Sequence, residues 1–403
     1  MKAVNITKEQ KMLFNLVGHN LFAAPLNIES GVDWDEVINE SVAQSLPLIA
    51  LKNYRELPID QPTSEKIQKL LKKCTMSNIN CFKGHAYLHS LMTKNAIPYC
   101  IIKGAASSYY YPDPLLRNMG DVDFYVSPEH LDKAREVFVA DGFEWSDTGS
   151  PHHFGLQKGR MGMEIHYAPI AIPNDEMRPI FHEYWSDICC DARLVKDVFS
   201  EYYLPSEFHH GFILITHFQL HLMPNGVGLR HLCDWVAFAD KFSNEEFIEI
   251  FEQRLKRVGL WRLAQIISLA AVKHLGMSYK DWMGNDYATA DALIEDIARG
   301  GNFGKREKDR GFEVLFISDR NTSYSKQPRF IRAIRSMNIL IRQRWKAAKK
   351  CPLLYPIGWV YFSMRFFYKK LTGRHKVKLM DSYKKSGKRI QLYQSLDLFK
   401  PEK

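Results

Sequence analysis

The hydrophobic pattern of this chain changes its period twice, and this constrains the fold more than any other feature. At residues 34–46 and 66–94, apolar residues recur at spacings of three and four, which predicts amphipathic helices. A short apolar run at 99–102 and an alternating segment at 121–126 then predict buried and half-buried strands. The helical period returns at about residues 205–300. The chain is therefore predicted to be an α+β protein, with a small β-sheet region between helical regions.

The length of 403 residues is too great for one small core, so several packed subdomains are expected. The pattern divides the chain into an N-terminal helical region at 1–95, a strand-containing core at 96–204, a helical domain at 205–325 and a basic amphipathic tail at 326–403. The N-terminus lacks the apolar core of a secretory signal, and no run of about 18 apolar residues occurs. A cytoplasmic location is the expectation.

Two acidic residues separated by one position occupy the alternating segment, as Asp121-Val122-Asp123. Side chains at i and i+2 of a strand share a face and lie roughly 7 Å apart, so both carboxylates can hold Mg²⁺ in one site. Two-metal phosphoryl transfer uses carboxylates in this way. Glu164, in a later strand-like segment at 162–167, is a candidate third carboxylate. The structural alternative is a pair of exposed carboxylates on an edge strand.

A glycine turn precedes the acidic segment, because Gly104 follows the apolar run and leads into a short helical segment at 105–110. Backbone N–H groups at a glycine turn that opens a helix can bind phosphate without any side chain. This order of strand, turn, short helix and acidic strand favours a phosphate-transfer site over solvent-facing carboxylates.

Taken together, these motifs resemble the uncharacterised bacterial nucleotidyltransferase family of the polymerase-beta-type fold. That family carries L-K-G, Y-P, R-x-x-G-D-x-D, E-I-H and R-x-L-x-D in this order, and the likeness covers roughly residues 95–240. The matching positions are Ile102-Lys-Gly104, Tyr111-Pro112, Arg117 to Asp123, Glu164-Ile-His166 and Arg230 to Asp234. The resemblance implies a mixed β-sheet in a nucleotidyltransferase core, a nucleoside triphosphate (NTP) substrate and Mg²⁺ or Mn²⁺ as cofactor.

The resemblance also implies catalytic roles. Asp121 and Asp123 would be metal ligands, and Glu164 would be the third carboxylate, acting as metal ligand or general base. Arg117 could clamp a phosphate through two hydrogen bonds, or it could neutralise one of the two aspartates. His166, on the same strand face as Glu164, could orient a metal ligand or be a hydrogen-bonded core histidine.

Contact with the triphosphate is implied for Gly104 and Ala105. The wider superfamily favours Gly-Ser or Gly-Gly at this turn, so a hydroxyl is missing here. Its absence transfers phosphate binding to backbone groups, to Lys103 or to Ser107. A salt bridge between Lys103 and the acidic residues is the alternative role for this lysine.

Four residues of the helical domain are expected to line the nucleotide cleft that this domain closes: His217, His221, Arg230 and Asp234. The two histidines stand at i and i+4, on one helical face. Zinc binding is less favoured for them than a polar seam facing the cleft. An ion pair between Arg230 and Asp234 is a further expectation.

The tail concentrates positive charge, with 21 Lys or Arg against three acidic residues from Lys326 to the end, whereas the preceding residues carry 34 basic and 42 acidic side chains. Such segregation indicates an anionic partner. Apolar and aromatic residues flanked by basic ones are typical of an interfacial anchor on anionic lipid. A helix packed on the catalytic domain and phosphate contacts with tRNA are the alternatives.

These features predict transfer of a nucleoside monophosphate from an NTP to an acceptor that the sequence does not identify. Family context implies surface-polysaccharide assembly, which suits a peripheral position on the inner membrane face. The alternatives are a toxin-like nucleotidyltransferase that modifies tRNA or protein, and a non-catalytic module that binds membrane or nucleic acid.

Overall fold

The computed structural model confirms the α+β class. It contains a mixed five-stranded sheet, and helical regions precede and follow the sheet in the sequence. The residues that it describes are 5–150, 152–170, 172, 176–196, 199, 201–223, 226–307, 310, 313, 317, 328–345, 347–348, 351–372 and 379–398.

Helices form the first part of the described chain. Their bounds are α1 Lys8–Phe22, α2 Trp34–Ala43, α3 Pro47–Ala50 and α4 Gln61–Lys94. The 34-residue helix α4 begins where the Asp60 side chain accepts a hydrogen bond from the Thr63 backbone N–H. This capping satisfies one of the free N–H groups of the first turn.

The central sheet has the strand order β1-β2-β5-β4-β3. Its strands and connecting helices are β1 Cys100–Ile101, α5 Ala105–Ser108, β2 Val122–Tyr125, α6 Leu131–Ala140, β3 Glu144–Ser146, β4 His153–Lys158 and β5 Met161–His166. β2 and β5 are parallel, and the other neighbours pair antiparallel. On one face of β2 and β5, the side chains of Val122, Phe124, Met163 and Ile165 are buried in the core of the sheet.

A second helical region follows a two-stranded hairpin. The bounds are α7 Arg178–Trp185, β6 Arg193–Lys196, β7 Glu201–Leu204, α8 Glu207–Leu222, α9 Leu229–Ala239, α10 Asn244–Phe247, α11 Gln253–Arg257, α12 Trp261–Leu275 and α13 Tyr287–Gly300. The tail contributes α14 Arg329–Arg344, α15 Tyr355–Leu371 and α16 Leu379–Ser395.

Two large apolar cores and a smaller third cluster are buried in the described part of the chain. Helices α1 to α3 share one core with α8, α9, α12 and α13, although some two hundred residues separate them in sequence. The sheet has its own core. Helix α4 joins them, because Ile67 is buried in the helical core whereas Phe82 and Leu88 are buried in the core of the sheet. Gly84 lets α4 approach β2, since a Cβ at this position would lie 3.0 Å from Cγ2 of Val122.

Two of the three described tail helices, α15 and α16, differ in their packing. Helix α16 packs on the helical core, where the Tyr393 hydroxyl donates to the backbone oxygen of Leu222 over 2.6 Å. Helix α15 instead exposes an apolar row, described below. Among the described residues, every helix is too short or too polar to cross a lipid bilayer.

Candidate active site

Strand register brings the predicted carboxylates to one face of the sheet. Asp123 on β2 pairs with Glu164 on the parallel strand β5. Directly paired residues of neighbouring strands project on the same side, and so do residues two positions away. Asp121 and His166 therefore share this face with the pair. The opposite face is the apolar one that packs into the core of the sheet.

Asp123 is the buried centre of this group. Its Oδ1 lies 2.9 Å from the Lys103 ammonium and 3.0 Å from Nε2 of His166. Burial opposes ionisation of Asp123, but Lys103 and the His166 hydrogen bond outweigh it and hold the pKa of Asp123 well below its usual value. Of the two roles predicted for Lys103, the structure contains the salt bridge.

Asp121 is more exposed, and its environment disfavours its charge. The neighbouring Asp123 carboxylate, followed by partial desolvation and Glu164, raises the pKa of Asp121 to about 6. Crowded carboxylates of this kind are relieved by a cation. Asp123, Glu164 and His166 each offer one ligand atom within 4.8 Å of the others. The donor set fits a divalent ion, and His166 is hydrogen-bonded to Asp123 within it.

The Gly104 turn has the conformation that the sequence pattern requires. Its φ of +56° lies in the left-handed region, which a glycine adopts without steric cost. A Cβ there would stand 3.5 Å from the backbone oxygen of Asp121, so the turn lies against the start of the acidic strand. Ser107 follows in α5, and among the described residues its buried hydroxyl has no hydrogen-bond partner. Ala105 is buried beneath the turn.

A cleft lies between the sheet and the helical region. The sheet side contributes Lys103, Gly104, Ser107, Arg117, Gly120, Asp121 and Asp123, and the helical side contributes Ile213, Leu214, His217, Arg230, His231 and Asp234. The lining includes nine of the twelve predicted site residues. Ala105, Glu164 and His221 are not part of this lining. The sequence interpretation missed Gly120, Ile213, Leu214 and His231, although His231 directly follows the predicted Arg230.

The ion pairs of the cleft differ from those expected. Arg117 neutralises neither Asp121 nor Asp123; it binds Asp234 through Nε and Nη2, each at 2.8 Å. The expected close ion pair between Arg230 and Asp234 is also not found among the described residues, where both oxygens of Asp234 accept from Arg117. The Tyr111 hydroxyl donates to the same carboxylate over 2.9 Å. These buried contacts tie the loop before β2 to helix α9.

Among the described residues, Arg230 makes no close ion pair with a carboxylate and its Nε has no hydrogen-bond partner, although Asp234 and Asp121 are near enough to favour its charge. It lines the cleft, and its guanidinium carbon lies 5.8 Å from the ring centre of Phe303. Burial, together with the nearby charge of Arg117, lowers the pKa of Arg230. A partly buried guanidinium that is hydrogen-bonded to no carboxylate favours an anion in the cleft beside it.

The predicted polar seam contains three histidines, two of which line the cleft. Nε2 of His217 lies 2.9 Å from Nε2 of His221, and His231 is close to both. Burial lowers the pKa of all three, that of His221 to about 4, so they are neutral at neutral pH. The Gly228 N–H donates to Nδ1 of His231. Nε2 of this ring then carries the proton, which opposes metal binding through that nitrogen.

The Arg117–Asp234 pair predicts a large effect on stability. Replacing Asp234 with Asn leaves a buried guanidinium without its countercharge, and we expect the free energy of unfolding to fall by about 3 to 5 kcal/mol. Urea denaturation measures this. Glu183→Gln is the matched control, because it breaks an ion pair with Arg257 in which both partners are about half exposed. Water screens that pair, so its loss should change stability little. Equal losses in the two variants would contradict the structural role of Asp234.

The raised pKa of Asp121 predicts a pH-dependent affinity for Mg²⁺. A metal ligand must lose its proton, so binding should weaken as pH falls through about 6 and be about tenfold weaker near pH 5 than near pH 7.5. An aspartate with an ordinary pKa near 3.8 would show almost no change over this range. Calorimetric titration with Mg²⁺ measures the dependence. Asp121→Asn should flatten it, and an equally steep profile in that variant would exclude Asp121 as its source.

Sequence comparison agrees with this geometry. The sequence model of a family described as uncharacterised nucleotidyltransferase matches residues 30–276. This segment is more than half of the chain, and it contains every residue that lines the cleft. A search of curated proteins gave no match. The extent of the family match shows that this chain belongs to the uncharacterised nucleotidyltransferase family.

Proposed function

We propose that this protein transfers a nucleoside monophosphate from an NTP to an acceptor, with Mg²⁺ or Mn²⁺ as cofactor and pyrophosphate as the second product. The observation that carries the proposal is the composition of the cleft. One wall presents the carboxylates Asp121 and Asp123, and the facing wall presents Arg230 without a close carboxylate partner among the described residues. A metal-bound triphosphate carries the complementary charges.

The triphosphate would lie between the glycine turn and Arg230. Backbone N–H groups after Gly104 and the unpartnered hydroxyl of Ser107 supply hydrogen-bond donors. Arg230 supplies a guanidinium that can hold a phosphate through two bonds. Arg117 is less available, because Asp234 already accepts two of its donors. We therefore assign phosphate binding to Arg230 and treat Arg117 as a support of the cleft wall.

Asp121, Asp123 and Glu164 would hold the divalent ion, with His166 beside them. When bound, such an ion polarises the phosphoryl oxygens and neutralises charge on the leaving pyrophosphate. Asp123 now has the Lys103 ammonium as its countercharge. A dication on Asp123 would repel this ammonium, and Lys103 would become free to bind a phosphate in the same cleft.

The proposed transfer is a single displacement at the α-phosphorus of the NTP. An oxygen of the acceptor forms a bond to the α-phosphorus while the bond from that phosphorus to the bridging oxygen of the β-phosphate breaks. The electron pair leaves with pyrophosphate, and the proton of the acceptor passes to a base. As the alternative to binding the ion, Glu164 is the candidate base, since about a third of its side chain is exposed and it stands next to Asp123. Charges already in place around the α-phosphate would supply much of the acceleration.

Incubation with each α-labelled NTP and Mg²⁺ tests this proposal. The wild-type protein should release pyrophosphate and label an acceptor from a cell extract, whereas Asp121→Asn combined with Asp123→Asn should lower the rate by about a thousandfold or more. Asp132→Asn is the control, because Asp132 is an exposed acid on α6 of the same region and should retain full activity.

The outcomes separate the alternatives. No transfer with any NTP, or equal transfer by the double variant, would reject the catalytic proposal and leave the non-catalytic binding module. Label in tRNA or protein would favour the toxin-like alternative. Label in a glycan or lipid-linked precursor would support the role in surface-polysaccharide assembly that the family context implies.

A second proposal concerns the tail, and it rests on the apolar row of α15. Six side chains at helical spacing on one face are between 47% and 87% exposed: Ile357, Val360, Tyr361, Met364, Tyr368 and Leu371. The tail around them is strongly basic in sequence. We propose that α15 lies in the interface of an anionic membrane, with this row in the acyl boundary. The alternative, a tail helix packed on the rest of the protein, describes α16, whose Tyr393 hydroxyl donates to the backbone oxygen of Leu222.

Co-sedimentation with vesicles tests the membrane proposal. The protein should pellet with anionic vesicles, and the bound fraction should fall as salt rises, because counterions screen the basic tail. Ile357→Gln combined with Met364→Gln should weaken binding by about tenfold or more, since two apolar contacts are lost. The control is Val139→Gln on α6, where the valine is 52% exposed. Equal pelleting of the two variants, or none by the wild type, would rule out α15 as the anchor.

A further inference from the structure

A second pocket, of about 500 Å³, lies outside the cleft described above. This volume falls within the range of about 300 to 1,000 Å³ that is typical of small-molecule sites. Its lining includes Tyr109, Tyr110, Arg193, Glu207, Lys241 and Glu246, and no residue of this pocket also lines the cleft. The proposed transfer reaction therefore gives this pocket no role.

The pocket is close to the cleft but separate from it. On α8, Glu207 lines the pocket and Leu214 lines the cleft, and seven residues of helix span about 10 Å. The buried ring of His210 stacks on Tyr110, with ring centres 5.0 Å apart, and it is near enough to Asp234 of the cleft for that charge to act on its pKa. A ligand in the pocket would therefore leave the cleft free.

Two tyrosine rings give the pocket an aromatic surface. Tyr109 is 41% exposed, and its ring stands edge to face with that of Tyr110 at 5.2 Å. Tyr110 is buried against His210 and Phe238, whose ring centres lie 5.0 and 4.9 Å away. The guanidinium carbon of Arg193 lies 5.4 Å from the ring centre of Tyr109. Because these contacts fix the surface before binding, stacking on it costs little conformational entropy.

Hydrogen-bond donors and acceptors surround this aromatic surface. Nη1 of Arg193 lies 3.1 Å from Oε1 of Glu207, and each side chain is about two-fifths exposed, so both can also reach a ligand. The Tyr110 hydroxyl accepts from Nη2 of Arg193 over 3.4 Å, which leaves the hydroxyl hydrogen for another acceptor. Lys241 adds an ammonium and Glu246 adds a second carboxylate.

The charges of the pocket balance, with two cations and two carboxylates in its lining. The carboxylates would repel a phosphate or a nucleic acid, and Arg193 and Lys241 would repel a cationic ligand. A sugar hydroxyl both donates and accepts hydrogen bonds, so it can pair with carboxylates and with cations in one pocket. The C–H face of a pyranose ring is apolar and packs on an aromatic ring such as that of Tyr109. The lining thus fits a neutral sugar better than a charged ligand.

We propose that this pocket binds a neutral pyranose unit of a carbohydrate ligand. The exposed ring of Tyr109 stacks on the apolar face of the sugar. Glu207 and Glu246 accept hydrogen bonds from its hydroxyl groups, and Arg193 and Lys241 donate to them. The site requires neither nucleotide nor metal ion, and a sugar and a nucleotide can be bound at the same time.

Saturation-transfer NMR on the full-length chain, without nucleotide or metal ion, tests the inference. The probes are the methyl pyranosides of glucose, galactose, mannose and N-acetylglucosamine, and the wild type should bind at least one with a millimolar dissociation constant. Tyr109→Ala should weaken this binding by about tenfold or more, because the stacking surface is lost. The control is Tyr383→Ala: Tyr383 is 40% exposed, and it lies on α16, which contacts the opposite end of α8 at Leu222.

Further measurements sharpen the test. Tyr109→Phe keeps the aromatic ring and should bind within about twofold of the wild type. Asp121→Asn combined with Asp123→Asn should retain sugar binding even where nucleotidyl transfer is lost, so failure of the transfer proposal is distinguishable from failure of this one. Thermal melting followed by circular dichroism verifies folding, and Tyr109→Leu substitutes if the alanine variant is unfolded.

The charge of the ligand provides a last criterion. Methyl glucuronide should bind about tenfold more weakly than the best neutral probe, because the pocket carboxylates repel its charge. Equal or tighter binding of the glucuronide that is lost in Tyr109→Ala would identify an anion site and overturn the proposal. Absence of binding by all four neutral probes, or unchanged binding in Tyr109→Ala, would overturn it as well.

Discussion

The pairing of Asp123 with Glu164 across two parallel strands is the constraint on which the rest of the site depends. A shift of one residue would turn every side chain of a strand to the other face. The apolar faces of β2 and β5 prevent this, because Phe124 and Ile165 would then leave the core of the sheet. Hydrophobic burial on one side of the sheet thus forces carboxylates together on the other, at an electrostatic cost that the Lys103 ammonium partly offsets.

Charge pairing across the cleft determines which groups stay available for ligands. Arg117 and Asp234 satisfy each other in a buried bidentate pair that joins the two walls. That pairing leaves Arg230 without a close carboxylate partner among the described residues, although it stands in the same sequence motif as Asp234. A structural ion pair and a cation that we propose binds an anion are therefore adjacent, and their roles follow from burial and partners more than from residue type.

The sequence predicted what depends on local spacing. Residues two positions apart on a strand give Asp121 and Asp123 a common face, and the glycine turn was identifiable from Gly104. Local spacing could not predict ion pairs between residues that are distant in sequence, such as Arg117 and Asp234, which are 117 positions apart. The short strands β3, β6 and β7 have too few residues to produce a clear alternation. In the tail, local pattern could not distinguish a docked helix from an exposed one, because both are amphipathic.

Helix α4 has a mechanical consequence for the cleft. It is one uninterrupted helix of 34 residues, with one part buried in the helical core and another in the core of the sheet. A helix of this length resists bending, so α4 limits rotation of the sheet relative to the helical region. Opening a hinge between the sheet and the helical region would require α4 to bend or to leave one of the two cores. Smaller movements of the cleft side chains, such as the release of Lys103 from Asp123, then offer a less costly way to admit a ligand than domain rotation.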